Sequence, residues 1–101
     1  MSYRLSPAAR ADLRSIWFYT LDIWGRAQAD RYILSIEKVF TNLSSGQERG
    51  RPADHFRKGY RMASIGSHYI FYRTSDVAGV EIMRILHQRM NIRSRLFESR
   101  R

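Results

Sequence analysis

Two hydrophobic rhythms divide this chain, and the point where one gives way to the other limits what it can fold into. Up to Leu43 the apolar residues recur at helical spacing, whereas after Gly59 they come in short β-branched or aromatic runs. A helical half followed by a strand half predicts an α+β fold, with the helices laid on one face of an antiparallel sheet.

The helical half has clear punctuation. Tyr3 to Leu5 is a short extended piece, and Ser6-Pro7 follows as an N-cap with proline at the first helical position. Leu13, Ile16, Trp17, Thr20 and Trp24 then mark one face of a first helix ending near Gly25. Ala29, Tyr32, Ile33, Ile36, Phe40 and Leu43 form the stripe of a second, while Arg26, Asp30, Arg31, Ser35 and Lys38 stay off it. A single glycine between them predicts a tight antiparallel hairpin. The breaker-rich stretch from Ser44 to Gly59 has no period.

"YRMASI", "HYIFYRT" and "VEIMRILH", separated by Gly66-Ser67 and by Asp76 with Gly79, predict three antiparallel strands in a meander. Ile70 and Tyr72 point to one face, Tyr69 and Phe71 to the other. Such a sheet needs cover on both sides. The hairpin supplies one; the tail after His87, or a partner, must supply the other, and a face left bare predicts self-association.

The 101 residues fit one domain with room for one modest core. No apolar run reaches membrane-spanning length, the start lacks the regions of a signal peptide, and there is no cysteine, so the expectation is a soluble cytoplasmic protein. Charge is distributed unevenly. Residues 1 to 48 carry 6 basic and 5 acidic groups, for +1, and residues 49 to 101 carry 12 and 4, for +8. That field favours an anionic partner: nucleic acid, an acidic protein or a nucleoprotein machine. Arginine outnumbers lysine 16 to 2, which suits bidentate contact with carboxylate or phosphate, although an arginine-biased genome gives the same ratio.

Chemistry has few places to reside. His55, His68 and His87 lack metal-ligand spacing, and neither a phosphate-cradling glycine loop nor a serine-hydrolase elbow is present, so no metal or cofactor is expected. A metal-free nuclease remains open, since Arg61, Arg73, His87 and Arg89 could converge on one sheet face with Tyr72 nearby. The plainer reading makes the arginines solvated or paired, His87 structural, and Tyr69, Phe71 and Tyr72 sheet cover.

The order of elements, together with "LSPAARADLRSIWFYTLDIWGRAQADRYI", "GRP", "GYRMASIGSHYIFYR" and "VEIMRILHQRMNIRSRL", resembles the ParE branch of the RelE/ParE superfamily of toxin–antitoxin toxins. Gly59, Arg61, Gly66, His68, Ile70, Tyr72, Val80, Glu81, Ile82, Arg84, Leu86, His87, Arg89 and Met90 match that pattern along nearly the whole chain. The resemblance implies one RelE/ParE-like toxin domain over residues 1–101, a growth inhibitor neutralised in a hetero-oligomer by a cognate ParD-like antitoxin with an acidic C-terminal tail. It implies a non-enzymatic poison of DNA gyrase. The RelE branch instead cleaves mRNA on the ribosome. Arg61 and Arg89 look similar to basic catalytic positions there, and His87 would join them, but no tyrosine follows Tyr72, so that branch's terminal tyrosine is missing. An inactive relative that only binds antitoxin is a third reading. The expected docking surface, for target or antitoxin, runs from Arg84 to Leu96 and takes in Arg61, Tyr72, Arg73, Arg84, His87, Arg89, Arg93, Arg95 and Leu96.

Overall fold

The computed structural model describes residues 2–77 and 79–98. Among them the chain runs β1 (Tyr3–Leu5), α1 (Pro7–Trp24), α2 (Arg26–Ser45), β2 (Arg51–Pro52), β3 (Arg61–Ile65), β4 (His68–Ser75), β5 (Gly79–His87) and α3 (Ile92–Glu98). One sheet has the order β1-β5-β4-β3-β2. The expected meander is its centre. To it are added β2, within the stretch expected to be irregular, and β1, which pairs parallel to β5 through Tyr3 with Val80 and Leu5 with Ile82.

Ser6 links this pairing to the start of the first helix. Its Oγ accepts the Ala9 N–H at 3.0 Å as the N-cap and donates to the Met83 carbonyl at 2.8 Å, while its N–H donates to the Ile82 carbonyl at 2.9 Å. Helix α1 is therefore anchored to β5 from its first turn. Gly25, at φ +89°, joins α1 directly to α2.

The hairpin covers one face of the sheet, where Ile16, Ile36, Val39, Phe40 and Leu43 pack on Ala63, Ile70, Tyr72, Val80, Ile82 and Ile85. Trp24 departs from its expected stripe: it is 70% exposed on the last turn of α1. The opposite face is not left bare. Ala53, Tyr60, Ile92 and Leu96 close over Met62, Phe71 and Leu86, so the loop after β2 and helix α3 form a second cluster. The single core expected for this length is thus split by the sheet into two. Helix α3, in the tail after His87, supplies part of the second, which is the cover that a sheet with two apolar faces required.

A bulge in β5 sets which of its apolar residues face the helices. Phe71 pairs with Arg84 but Tyr72 pairs with Ile82, which leaves Met83 as an extra residue. An extra residue reverses the alternation. Ile82 and Ile85, three positions apart, consequently share the helix face, while Met83 and Leu86 share the other.

Candidate functional site

The functional residues expected to converge lie at two ends of the sheet. At one end His68 and His87 are paired across β4 and β5, with ring centroids 5.3 Å apart and planes at 82°. Both lie two residues from an isoleucine of the helix face (Ile70 and Ile85), so both point under the helices. Tyr32 on α2 reaches down to them. Its Oη lies 2.7 Å from His68 Nδ1, donates to the Ile65 carbonyl at 3.2 Å and accepts the Ser67 N–H at 3.3 Å. The turn must pass close beneath that hydroxyl: a Cβ on Gly66, whose φ is +54°, would meet it at 2.6 Å.

Burial pushes the His68 imidazole down to about 4, with the neighbouring His87 adding to the shift and Asp12 opposing it. His68 is therefore neutral near pH 7. His87 Nδ1 accepts the Arg89 N–H at 3.0 Å, which leaves Nε2 as the protonated nitrogen of the neutral ring. Burial also raises the Tyr32 hydroxyl, against the Ser67 N–H bond that lowers it.

Around the histidines is a groove of about 380 Å3 lined by Ser15, Ile16, Tyr19, His68, His87, Arg89 and Met90. A second, of about 290 Å3, shares Tyr19, His68 and His87 and continues past Trp24 and Tyr32. Tyr19 and Trp24, about 70% exposed, and Met90, 42% exposed, give it an apolar rim. An apolar trough with one guanidinium at its edge suits an apolar anchor carrying a nearby carboxylate.

At the other end Arg61 pairs with Tyr72 across β3 and β4. Arg61 donates to the Gly50 carbonyl at 2.7 Å and Tyr72 Oη accepts the Gly50 N–H at 2.8 Å. This clasp requires glycine, because a Cβ there would lie 2.4 Å from the Met62 carbonyl oxygen and 2.6 Å from Tyr72 Oη. Beside it Arg49, Arg61, Tyr72 and Thr74 line a cleft of about 470 Å3. Arg73 points elsewhere, to Glu81 at 3.0 Å.

Tyr72 and His68 are four positions apart on β4, so Arg61 and His87, their respective cross-strand neighbours, stand roughly 13 Å apart along the sheet at ~3.3 Å per residue. The expected convergence of Arg61, Arg73, His87 and Arg89 does not form. Of these four, His87 and Arg89 share a groove. Among the described residues, no group of three metal-ligating side chains comes together.

The remaining expected docking residues divide between structure and surface. Arg84 is 11% exposed and bound to Asp12, with Nε at 2.7 Å. Leu96 is 1% exposed inside the second cluster. Arg93 is exposed and lies over the Phe56 ring, 5.5 Å from its centroid; Arg95 is exposed, and its carbonyl accepts from Arg84 at 2.7 Å. Sequence reasoning passed over Asp12 and Tyr19, and placed Tyr32 only on the apolar stripe of α2. The helical period carried a signal for Tyr19, which follows Ile16 by three residues and so extends an apolar face into solvent.

The model of the family described as "ParE toxin of type II toxin-antitoxin system, parDE" matches residues 3–92. The chain belongs to the ParE toxin family. It is 41% identical over 90 residues to Toxin ParE1 of Mycobacterium tuberculosis, covering 89% of this chain and 92% of that toxin. To Toxin ParE1 of Caulobacter vibrioides it is 42% identical over 94 residues, covering 93% and 96%. Toxin ParE of Escherichia coli is 35% identical over 95 residues, covering 94% and 92%. The fold of this ParE-family chain is found in a solved chromosomal ParDE system from P. aeruginosa, with a TM-score of 0.73 at 23% identity, covering 86% of this chain and 95% of that one. It also matches the Mycobacterium tuberculosis toxin–antitoxin complex RelBE2, with a TM-score of 0.64 at 23% identity, covering 86% and 96%. His68, His87, Arg61 and Asp12 fall inside the family match, and Arg93, Arg95 and Leu96 fall beyond it.

Proposed function

We propose that this toxin stops growth by poisoning DNA gyrase without chemistry of its own, acts as one domain in the cytoplasm, and is silenced by a cognate ParD-like antitoxin with an acidic tail. The observation that carries the non-enzymatic reading is the separation of Arg61 from His87. Phosphodiester cleavage needs proton transfer and charge stabilisation at one phosphate, and Arg61, turned to the Gly50 carbonyl, lines a different groove from His87. The antitoxin reading is supported by the toxin–antitoxin systems in which the solved relatives were found. The apolar trough of Tyr19, Trp24 and Met90, with Arg89 at its edge, is the surface we assign to the antitoxin's apolar anchors and carboxylates.

The test is incubation of the purified protein with gyrase and supercoilable plasmid. Lost supercoiling together with trapped linear DNA is the expected outcome. One observation favours a second reading, ribosome-dependent mRNA cleavage: two imidazoles, the Tyr32 phenol and Arg89 meet around one groove. If gyrase is untouched by folded protein and His87→Ala abolishes toxicity while antitoxin affinity persists, that second reading replaces the first.

A further inference from the structure

The face opposite the helical hairpin differs from the rest of the surface in how its charge is held. Arg51 lies over the Tyr69 ring at 6.0 Å, Arg57 over Tyr60 at 5.1 Å and Arg93 over Phe56 at 5.5 Å, measured to the ring centroids. The rings come from a strand and from the loop that closes the second cluster, so they are fixed by packing. A guanidinium laid on such a ring loses little further freedom when its N–H edge meets an acceptor. Exposed Lys58 lies in the same loop. Between residues 49 and 60 the only acid is Asp54, against Arg49, Arg51, Arg57 and Lys58, and its Oδ1 is occupied by the Gly59 N–H at 2.9 Å.

The large apolar side chains that the molecule exposes lie elsewhere. Among the described residues they are Phe18, Tyr19, Ile23 and Trp24 on α1, Leu34 on α2, Val77 in the turn before β5 and Met90 ahead of α3. A peptide partner needs apolar anchors as well as ion pairs, since exposed ion pairs alone contribute little. A polyphosphate does not, because release of its condensed counterions drives binding by itself. Stacking of unpaired bases is also unsupported, since Tyr69, Phe56 and Tyr60 already carry guanidinium groups on their faces.

We propose that this face, with Arg51, Arg57, Lys58 and Arg93, binds the phosphate backbone of duplex DNA without reading its sequence. The surface is independent of the trough assigned to the antitoxin. It does not depend on gyrase being the target, so failure of the gyrase assay leaves it standing.

The experiment is anisotropy of a short labelled DNA duplex titrated with full-length toxin at several salt concentrations. The key variant is Arg51→Ser with Arg93→Ser, two exposed side chains; Arg57 is spared because its Nη1 holds the Leu96 carbonyl at 2.8 Å. Loss of two phosphate contacts lowers the magnitude of the log–log salt slope by about 2. Arg14→Ser with Arg31→Ser removes the same charge from the exposed helices and is expected to leave the slope unchanged. Lysine at positions 51 and 93 is expected to restore it. Equal slopes for the two serine variants would overturn the proposal, as would absence of binding at low salt or much tighter binding of duplex RNA than of DNA.

Discussion

Arg84 and Asp12, separated by 72 positions in sequence, form a two-pronged ion pair with Nε at 2.7 Å from Oδ2 and Nη2 at 3.0 Å from Oδ1. Asp12 Oδ2 also accepts the Ile85 N–H at 2.9 Å, and Arg84 Nη1 donates to the Arg95 carbonyl at 2.7 Å. Two side chains thereby connect α1, the bulge of β5 and α3. The bulge aims Arg84 toward α1, and an arginine with both prongs engaged is fixed in orientation.

With exposures of 11% and 14%, neither partner is well hydrated once the other is removed. Asp12→Ala is expected to cost about 1.5–3 kcal/mol, since it removes two charge-assisted hydrogen bonds from a largely covered guanidinium and the acceptor of the Ile85 N–H. Urea unfolding measures this directly; a loss near that of an exposed pair would show that water replaces the carboxylate.

Helix α3 is part of the core, so shortening the tail should damage the fold. Leu96→Ala is expected to cost about 2–5 kcal/mol, the range for truncating a buried leucine. Deleting residues 93–101, which a basic tail lying outside the core would tolerate, is expected to lower the melting temperature and expose the Phe71 and Leu86 side of the sheet to a hydrophobic dye. An unchanged melting curve would mean that α3 does not seal this face in solution.

His68 links stability to pH. Its folded pKa of about 4 lies below the ordinary 6.5, so between those values the unfolded chain takes up a proton that the folded chain refuses. The stability this group contributes is complete above about pH 6.5, declines as pH falls toward 4 and then levels off. Wild type is expected to lose more urea resistance than His68→Gln between about pH 7.5 and about pH 5. Parallel losses in the two proteins would assign the acid sensitivity to other groups.

The clasp at Gly50 separates a steric effect from a hydrogen bond. Tyr72→Phe removes only the acceptor of the Gly50 N–H and is expected to cost about 1 kcal/mol. Gly50→Ala forces a Cβ against the Met62 carbonyl as well and is expected to cost about 1–3 kcal/mol, with amide exchange accelerated in β2. Similar exchange rates in the two variants would show that the strand yields without strain.

The helices and the central meander were legible because each is specified locally, by the Ser6-Pro7 cap, the stripes up to Leu43 and the alternation after Gly59. The parallel partner of Tyr3–Leu5 was not, since three residues carry no code for a strand some 77 positions away. Helix α3 did leave a trace in the spacing of Ile92 and Leu96, but two residues among arginines read equally well as a solvated tail. The bulge left a clearer one: Ile82-Met83 and Ile85-Leu86 break the alternation that a regular strand would keep. At the site, His87 and Arg61 could be nominated from sequence, whereas their separation depends on cross-strand register. Asp12 lies off the apolar stripe of α1, and only the fold brings Arg84 to it.

The parallel pairing of β1 with β5 also constrains when the toxin can exist. The first strand, and Ser6 behind it, have their partners in residues 79–87, so the helical hairpin emerges from the ribosome long before the sheet that it covers. Contacts of such sequence separation form late. A nascent chain therefore presents an apolar hairpin face without its counterpart, and folded toxin appears only after β5 has been synthesised. That delay leaves an interval in which a waiting partner could meet the chain before its sheet is complete.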